Sequence, residues 1–147
     1  MNIAKVKDIM TDNTISATPD MPILKTAQLI TDNHFNGVPV IDKDGKLVGL
    51  VTEYNLINEQ NLLPSLSLES IGNFEKKLEE MLKLKTADVM DTTPLTLHFD
   101  DSFEIALELF NKHHSVNPVP VVDNDNKLVG VLSRYDLIKL LKMYGHS

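Results

Sequence analysis

The sequence predicts an α/β (α+β) fold built from two copies of one β-α-β-β-α unit. Three observations carry this. Pro39–Ile57 reads PVIDKDGKLVGLVTEYNLI and Pro120–Ile138 reads PVVDNDNKLVGVLSRYDLI, identical at eleven of nineteen positions at an offset of 81. A shorter echo, Asp8-Ile9-Met10 against Asp88-Val89-Met90, recurs at an offset of 80, so the second copy holds one extra residue in between. Third, strand-like apolar runs alternate with segments of helical spacing in the same order in both copies. The expected boundaries are repeat one at 1–58, a connecting segment at 59–85 and repeat two at 86–147.

Each copy opens on a short strand of β-branched or apolar residues, Thr14–Ala17 and Pro94–Leu97. A helix follows. In copy two, Asp101 and Glu104 have the spacing of a capping box, and Phe103, Ala106, Leu107 and Phe110 form an apolar stripe. In copy one, Asp20 precedes Pro22, and Ile23, Ala27 and Ile30 form the matching stripe. Next come an apolar strand (Val38–Ile41, Val119–Val122), a polar turn and a second strand (Leu47–Val51, Leu128–Leu132). The turns DKDG and DNDN contain residues that tolerate the positive φ of a tight hairpin. A final helix begins at Thr52 and at Ser133, the second running on through Ile138–Tyr144 to end near Gly145. In the connecting segment, Pro64 with several Ser and Asn residues indicates a loop. Phe74, Leu78, Met81 and Leu82 indicate an amphipathic helix over Phe74–Leu84, better suited to covering the core than to a partner.

Composition narrows the function. The chain has 147 residues, 42% hydrophobic and 24% charged, as in soluble globular proteins. A unit of roughly 50–60 residues buries too little surface to be secure alone, so the copies are expected to pack into one module. No apolar run approaches the ~20 residues that span a bilayer, and the N-terminus lacks a signal-peptide pattern. Zero cysteines exclude disulfides and thiolate metal sites, and the cytoplasm is the expected compartment. A formal charge of −7 disfavours nucleic acid, which needs a concentrated basic surface. It leaves room for a small anionic ligand in a local pocket.

The residues after each hairpin carry the chemistry: Thr52-Glu53-Tyr54-Asn55 and Ser133-Arg134-Tyr135-Asp136. Helix capping explains them, since a Ser or Thr hydroxyl and a carboxylate three residues on satisfy the free N–H groups of the first turn. The same groups suit an anionic ligand with a diol, because a carboxylate accepts from two hydroxyls at once. Other signals are weaker. His113-His114, with His98 and His146, lack a carboxylate at ligand spacing. The run Asp42-Lys43-Asp44 followed by Glu53 imitates a calcium loop but has Leu47 where glycine is needed. No phosphate-cradling glycine loop or nucleophile motif is present, and catalysis finds no support.

The order Asp-Ile-Met, helix, Pro-Val strand, Asp-x-Asp turn, Leu-Val-Gly and Thr/Ser-x-x-Asp/Asn resembles a tandem pair of CBS domains (a Bateman module), over Val6–Ile57 and Thr86–Leu141. The resemblance implies a pseudo-twofold regulatory module with two clefts for adenosine ligands such as AMP, ADP, ATP or S-adenosylmethionine, with no cofactor required. By that likeness, one cleft joins Ser133 and Asp136, the carboxylate gripping the ribose, to Thr11, Ile15, Asn36, Gly37, Val38 and Pro39. The other joins Thr52 and Asn55 to Leu95, Pro118, Val119 and Pro120. Asn55, an amide with one acceptor group, predicts the weaker grip. Basic residues before Pro-Val, common in polyphosphate-binding members, are replaced by Asn36-Gly37 and Asn117-Pro118. Arg134, with Lys112, His113 and His114, is the candidate to compensate, a solvated helix position being its alternative. The resemblance also implies a homodimer and an effector protein of unknown identity, the signal passing by population shift through 58–85 and the tail beyond Leu141. A structural or dimerisation module without nucleotide is the competing reading, with neither nucleic acid nor membrane as partner.

Overall fold

The computed structural model describes residues 4–12, 14–57 and 71–145, side chains of 71–74 excepted. The loop expected around Pro64, the contribution of Phe74 to a stripe, and His146 lie outside the described residues. The described elements are α1 (Val6–Ile9), α2 (Ile23–Asp32), β1 (Gly37–Ile41), β2 (Leu47–Thr52), α3 (Glu53–Ile57), α4 (Ile71–Met81), α5 (Thr86–Val89), β3 (Leu97–His98), α6 (Phe103–Lys112), β4 (Val119–Val122), β5 (Leu128–Leu132) and α7 (Arg134–Tyr144).

These fall into two compact units: Met1–Thr14 with Lys43–Leu47 and Pro94–Ser147, and Ile15–Asp42 with Val48–Thr93. Each unit therefore holds the helix, paired strands and final helix of one repeat together with the Asp-Ile/Val-Met segment of the other, and the first unit also takes the turn Lys43–Leu47 of repeat one. In the first unit, β3, β4 and β5 form a sheet in that order, β3 parallel and β5 antiparallel to β4. Val119 pairs with Leu132 and Val121 with Gly130. β4 is buried throughout, so it reads as a continuous apolar run rather than an alternation. Its core comprises Leu97, Ala106, Phe110, Val119, Val121, Leu132 and Leu140, joined by Val6 and Ile9 of α1. Burying Val6 and Ile9 contributes roughly 1.5–3 kcal/mol each, and this is what holds a four-residue helix in place. In the second unit β1 and β2 pair, and Ala17, Ile23, Ile30, Val38, Val40, Val51, Leu56 and Met81 form the core.

The short helices α1 and α5 have a common cause. Asp8 accepts the Lys5 N–H at 2.9 Å and Asp88 the Lys85 N–H at 2.8 Å, closing one helical turn from its third residue. Each segment then pairs with a hairpin strand. Thr11 exchanges two 2.9 Å backbone bonds with Val131, and Asp91 does the same with Leu50. Glycine is required at this contact. A Cβ on Gly130 would meet the Met10 sulfur at 2.7 Å and the Thr11 carbonyl at 2.8 Å.

Three sequence expectations shift. The strand expected at Thr14–Ala17 is reduced to one parallel bridge between Ala17 and Val40, and that at Pro94–Leu97 begins only at Leu97. Pro94 opens the second segment and cannot donate to a ladder, and Pro19 stands two residues beyond the first. Helix α6 is capped by Ser102, whose hydroxyl accepts from Ile105, rather than by Asp101. Asp101 instead accepts the His98 N–H at 2.8 Å, turning the chain out of β3. Finally, the hairpin turns need positive φ at only one residue each, Gly45 (+82°) and Asn126 (+62°), because Asp42–Lys46 and Asp123–Lys127 are longer than a two-residue loop. Asp123 closes its turn by accepting the Lys127 and Asp125 N–H groups, and these bonds, the Lys127 one foremost, hold its carboxyl below the usual range. Within the first unit, Lys43–Leu47 docks on that turn. Leu47 N–H reaches the Asn126 carbonyl, and the Asn126 amide reaches the Leu47 carbonyl.

Candidate functional site

Ser133 and Asp136 stand at the head of α7, immediately after β5. The Ser133 hydroxyl caps the Asp136 N–H at 3.2 Å, and Asp136 Oδ2 accepts the Ser133 N–H (2.9 Å) and lies 3.2 Å from its hydroxyl. Its other oxygen, Oδ1, accepts from the Thr11 hydroxyl at 3.3 Å and from Lys139 Nζ at 2.7 Å. Four donors thus converge on one carboxylate whose residue is only 2% exposed. A buried charge is tolerable only when paired and hydrogen-bonded, and this one is both.

The second unit repeats the plan with weaker chemistry. Asn55 Oδ1 accepts the Thr52 N–H (2.8 Å) and hydroxyl (2.9 Å), and the Thr52 hydroxyl lies 3.4 Å from the Asn55 N–H. The sequence counterpart of Thr11 there is Asp91, which turns to Thr93, accepting its N–H at 3.0 Å. Asn55 carries no charge, so this helix head offers a diol less than Asp136 does.

The residues before Pro-Val sit beside the same helix heads within each unit. Asn36 accepts the Glu53 N–H through its carbonyl (3.0 Å). In the other unit the Asn117 side-chain oxygen accepts the Arg134 N–H (3.2 Å). Gly37 lies so close to β2 that a Cβ would meet the Val51 carbonyl at 2.7 Å and Thr52 at 3.1 Å. Val38 and Pro39 are buried, as are Pro118, Val119 and Pro120; Ile15 is half-buried and Leu95 39% exposed. Thr11, Ser133, Arg134, Asp136, Leu95, Pro118, Val119 and Pro120 belong to the first unit. Ile15, Asn36, Gly37, Val38, Pro39, Thr52 and Asn55 belong to the second.

Arg134 is engaged within the first unit. Its guanidinium donates to the Val116, Phe110 and His113 carbonyls (2.5, 3.0 and 3.0 Å) and lies 4.9 Å from the Phe110 ring centroid. It therefore ties down the end of α6 and the loop carrying the extra residue. Copy one, with the shorter loop, has Glu53 at the equivalent place and closes its helix differently. His34 (φ +55°) and Phe35 donate to Thr31 and Ile30, the double bond of a Schellman motif. Lys112, beside this loop, is bound to Glu108 at 2.6 Å.

Sequence reasoning missed two groups. Lys139, one turn beyond Asp136, was legible only as a surface lysine. Thr26 and Thr86, both fully buried and 2.6 Å apart, bind the α5 segment to α2. In the first unit their counterparts are Ala106 and Val6, an apolar pair in the same core.

These arrangements match known proteins. The CBS domain family matches residues 6–61 and 87–143. The chain belongs to the CBS domain family. An uncharacterized protein of Methanocaldococcus jannaschii is 32% identical, over 95% of this chain and 92% of its own length. A second from that organism is 30% identical over 93% of this chain, which spans only 39% of its length. Among solved structures, CBSX2 of Arabidopsis thaliana in complex with AMP is similar at a TM-score of 0.77 and 25% identity, covering 96% of this chain and 98% of that one. A CBS domain pair in complex with 5′-methylthioadenosine and S-adenosyl-L-methionine aligns at a TM-score of 0.69 and 25% identity, over 94% and 99% of the two chains. No helix among the described residues is long and apolar enough to cross a membrane, and none of their acidic and histidine side chains cluster as a metal site.

Proposed function

We propose that this CBS pair is a non-catalytic regulatory module that binds an adenosine nucleotide through Asp136 and signals the bound state to an effector protein. One observation carries the proposal. At the head of α7 a carboxylate, two hydroxyls and a helix N-terminus converge, the groups that a ribose diol and an anion require. The AMP complex of CBSX2 and the 5′-methylthioadenosine and S-adenosyl-L-methionine complex of the related pair support adenosine as the ligand class. Thr11, Ser133 and Asp136 are assigned to the ligand; Arg134 acts by fixing the neighbouring loop. Asn55 makes the helix head of the second unit the weaker site. Calorimetric titration of AMP and ATP into wild type and Asp136→Ala tests the assignment: the variant loses most of the affinity, and an unchanged affinity refutes it. Signalling predicts that saturating AMP alters hydrogen exchange in α4 or the end of α7; no change at either place counts against it.

A second reading, a module for assembly without nucleotide, draws on the exposed face of α7. Tyr135, Ile138, Leu141 and Met143 are 71%, 60%, 75% and 63% exposed, more apolar surface than one helix usually leaves in water. We assign this face to homodimer contacts, compatible with either reading. Ile138→Glu with Leu141→Glu then yields monomers by light scattering, and a monomeric wild type overturns the assignment.

A further inference from the structure

The carboxylate proposed to grip a diol is already full. An ionised carboxylate offers about four acceptor positions. Ser133 N–H, Ser133 Oγ, Thr11 Oγ and Lys139 Nζ occupy them. A ligand's two hydroxyls can bond to Asp136 only if some of these donors withdraw. The four are unequal in how easily they leave. The Ser133 N–H is part of the helix cap, and the Ser133 hydroxyl also receives the Asp136 N–H, so both are fixed by α7 itself. The Thr11 backbone is held by its paired bonds to Val131, and its hydroxyl is a neutral donor at 3.3 Å. Lys139 is different: its side chain is 46% exposed, on a flexible four-carbon stem, against 2% for its partner. Its ammonium can withdraw into water on that stem without disturbing the helix cap or the Thr11 backbone, and it is the one charged donor of the four.

Once displaced, the ammonium stays tethered one helical turn from the ligand's hydroxyls. It is then free to meet a negative charge on that ligand. The residues before Pro-Val supply no such charge partner, being Asn36-Gly37 and Asn117-Pro118, and the Arg134 guanidinium is committed to three carbonyls. The copy-one position equivalent to Lys139 is Asn58, so the sequence provides this feature once.

We propose that Lys139 is a specificity-determining latch: it occupies Asp136 until a ligand diol displaces it, then lends its charge to an anionic group of the same ligand. The latch rests on the reading of Asp136 as the diol-binding group. Uncharged adenosine must break the Lys139–Asp136 bond without return, whereas AMP recovers the interaction at its phosphate.

The test is calorimetry of adenosine and AMP against full-length wild type, Lys139→Met and Asp136→Ala. Methionine keeps the stem's length and packing while removing the charge. Adenosine is expected to bind Lys139→Met about tenfold more tightly than wild type, the scale of one charge-assisted hydrogen bond. AMP gains nothing or weakens, so the preference for AMP narrows about tenfold. Rising salt, which loosens a half-exposed ion pair, improves adenosine binding to wild type but not to Lys139→Met. If Asp136→Ala abolishes binding while Lys139→Met leaves adenosine affinity unchanged or lower, the latch is wrong and the diol site stands. An unaltered AMP-to-adenosine preference in Lys139→Met likewise overturns the charge-lending step. If Asp136→Ala binds as wild type does, or wild type itself binds neither probe, both the latch and the reading beneath it fall.

Discussion

Replacing Thr86 by valine removes the acceptor of a buried hydroxyl and nothing else of its size. Thr86 donates its own hydroxyl hydrogen to the Met21 carbonyl at 2.8 Å, so in the 2.6 Å contact with Thr26 it is Thr26 that donates. In Thr86→Val the Met21 carbonyl keeps a partner, the backbone N–H of residue 86 at 2.9 Å, while the Thr26 hydroxyl loses its acceptor. Stranding a buried donor costs about 1–3 kcal/mol, and the methyl gained returns up to about 0.8 kcal/mol. A net loss of roughly 1–2 kcal/mol follows. Thr26→Ala loses the hydrogen bond and one methyl but leaves the Thr86 donor satisfied, for a similar loss of roughly 1–2 kcal/mol. The double variant recreates the apolar Val6 and Ala106 arrangement of the first unit, where no polar group is stranded. It should therefore be at least ~1 kcal/mol more stable than the sum of the two single losses predicts. Urea unfolding of the four proteins measures this directly. Additivity within ~0.5 kcal/mol refutes the reasoning, and would mean that the Thr26 hydroxyl turns back to the Pro22 carbonyl one turn earlier.

Two further outcomes follow from the helix ends. Arg134→Met retains the stem over Phe110 but frees three carbonyls, and is expected to cost roughly 1–3 kcal/mol in urea unfolding; Arg134→Lys recovers little, since one ammonium cannot span all three. A loss below ~0.5 kcal/mol would show that water satisfies that loop equally well. His34→Gly relieves a left-handed residue, worth about 1–2 kcal/mol, against an unfolded-state penalty of about 0.4–1 kcal/mol. The melting temperature should rise; a fall would show that the His34 side chain contributes more than its backbone costs.

Much of this molecule was legible in order. The duplicated segment placed β1, β2, β4 and β5 within a residue of their observed ends, because apolar strands bounded by Asp-x-Asp turns have few alternatives. Ser133-x-x-Asp136 was readable as a capping box because it is a local device, complete within four residues. The opening strands were not, since Ala17 and Leu97 pair only where a parallel neighbour comes to them. Arg134 was ambiguous for the same reason. Its three carbonyl partners are 18 to 24 positions away, and spacing along α7 shows only that it lies near the helix start.

The sequence alone determined the repeat, the family resemblance and the two helix heads that carry Asp136 and Asn55, all of them consequences of short-range pattern and side-chain chemistry. Tertiary structure decided the rest. It placed the Val6–Met10 segment in the unit of repeat two and the Thr86–Met90 segment in that of repeat one, a choice no local signal encodes because both segments make the same backbone bonds. It also brought Thr11 onto Asp136 across 125 residues of chain, giving the carboxylate a donor that no reading of the helix head alone could supply. Burial explains why that matters: a carboxylate 2% exposed must have its partners brought to it, and only the folded chain can bring one from the far end of the sequence.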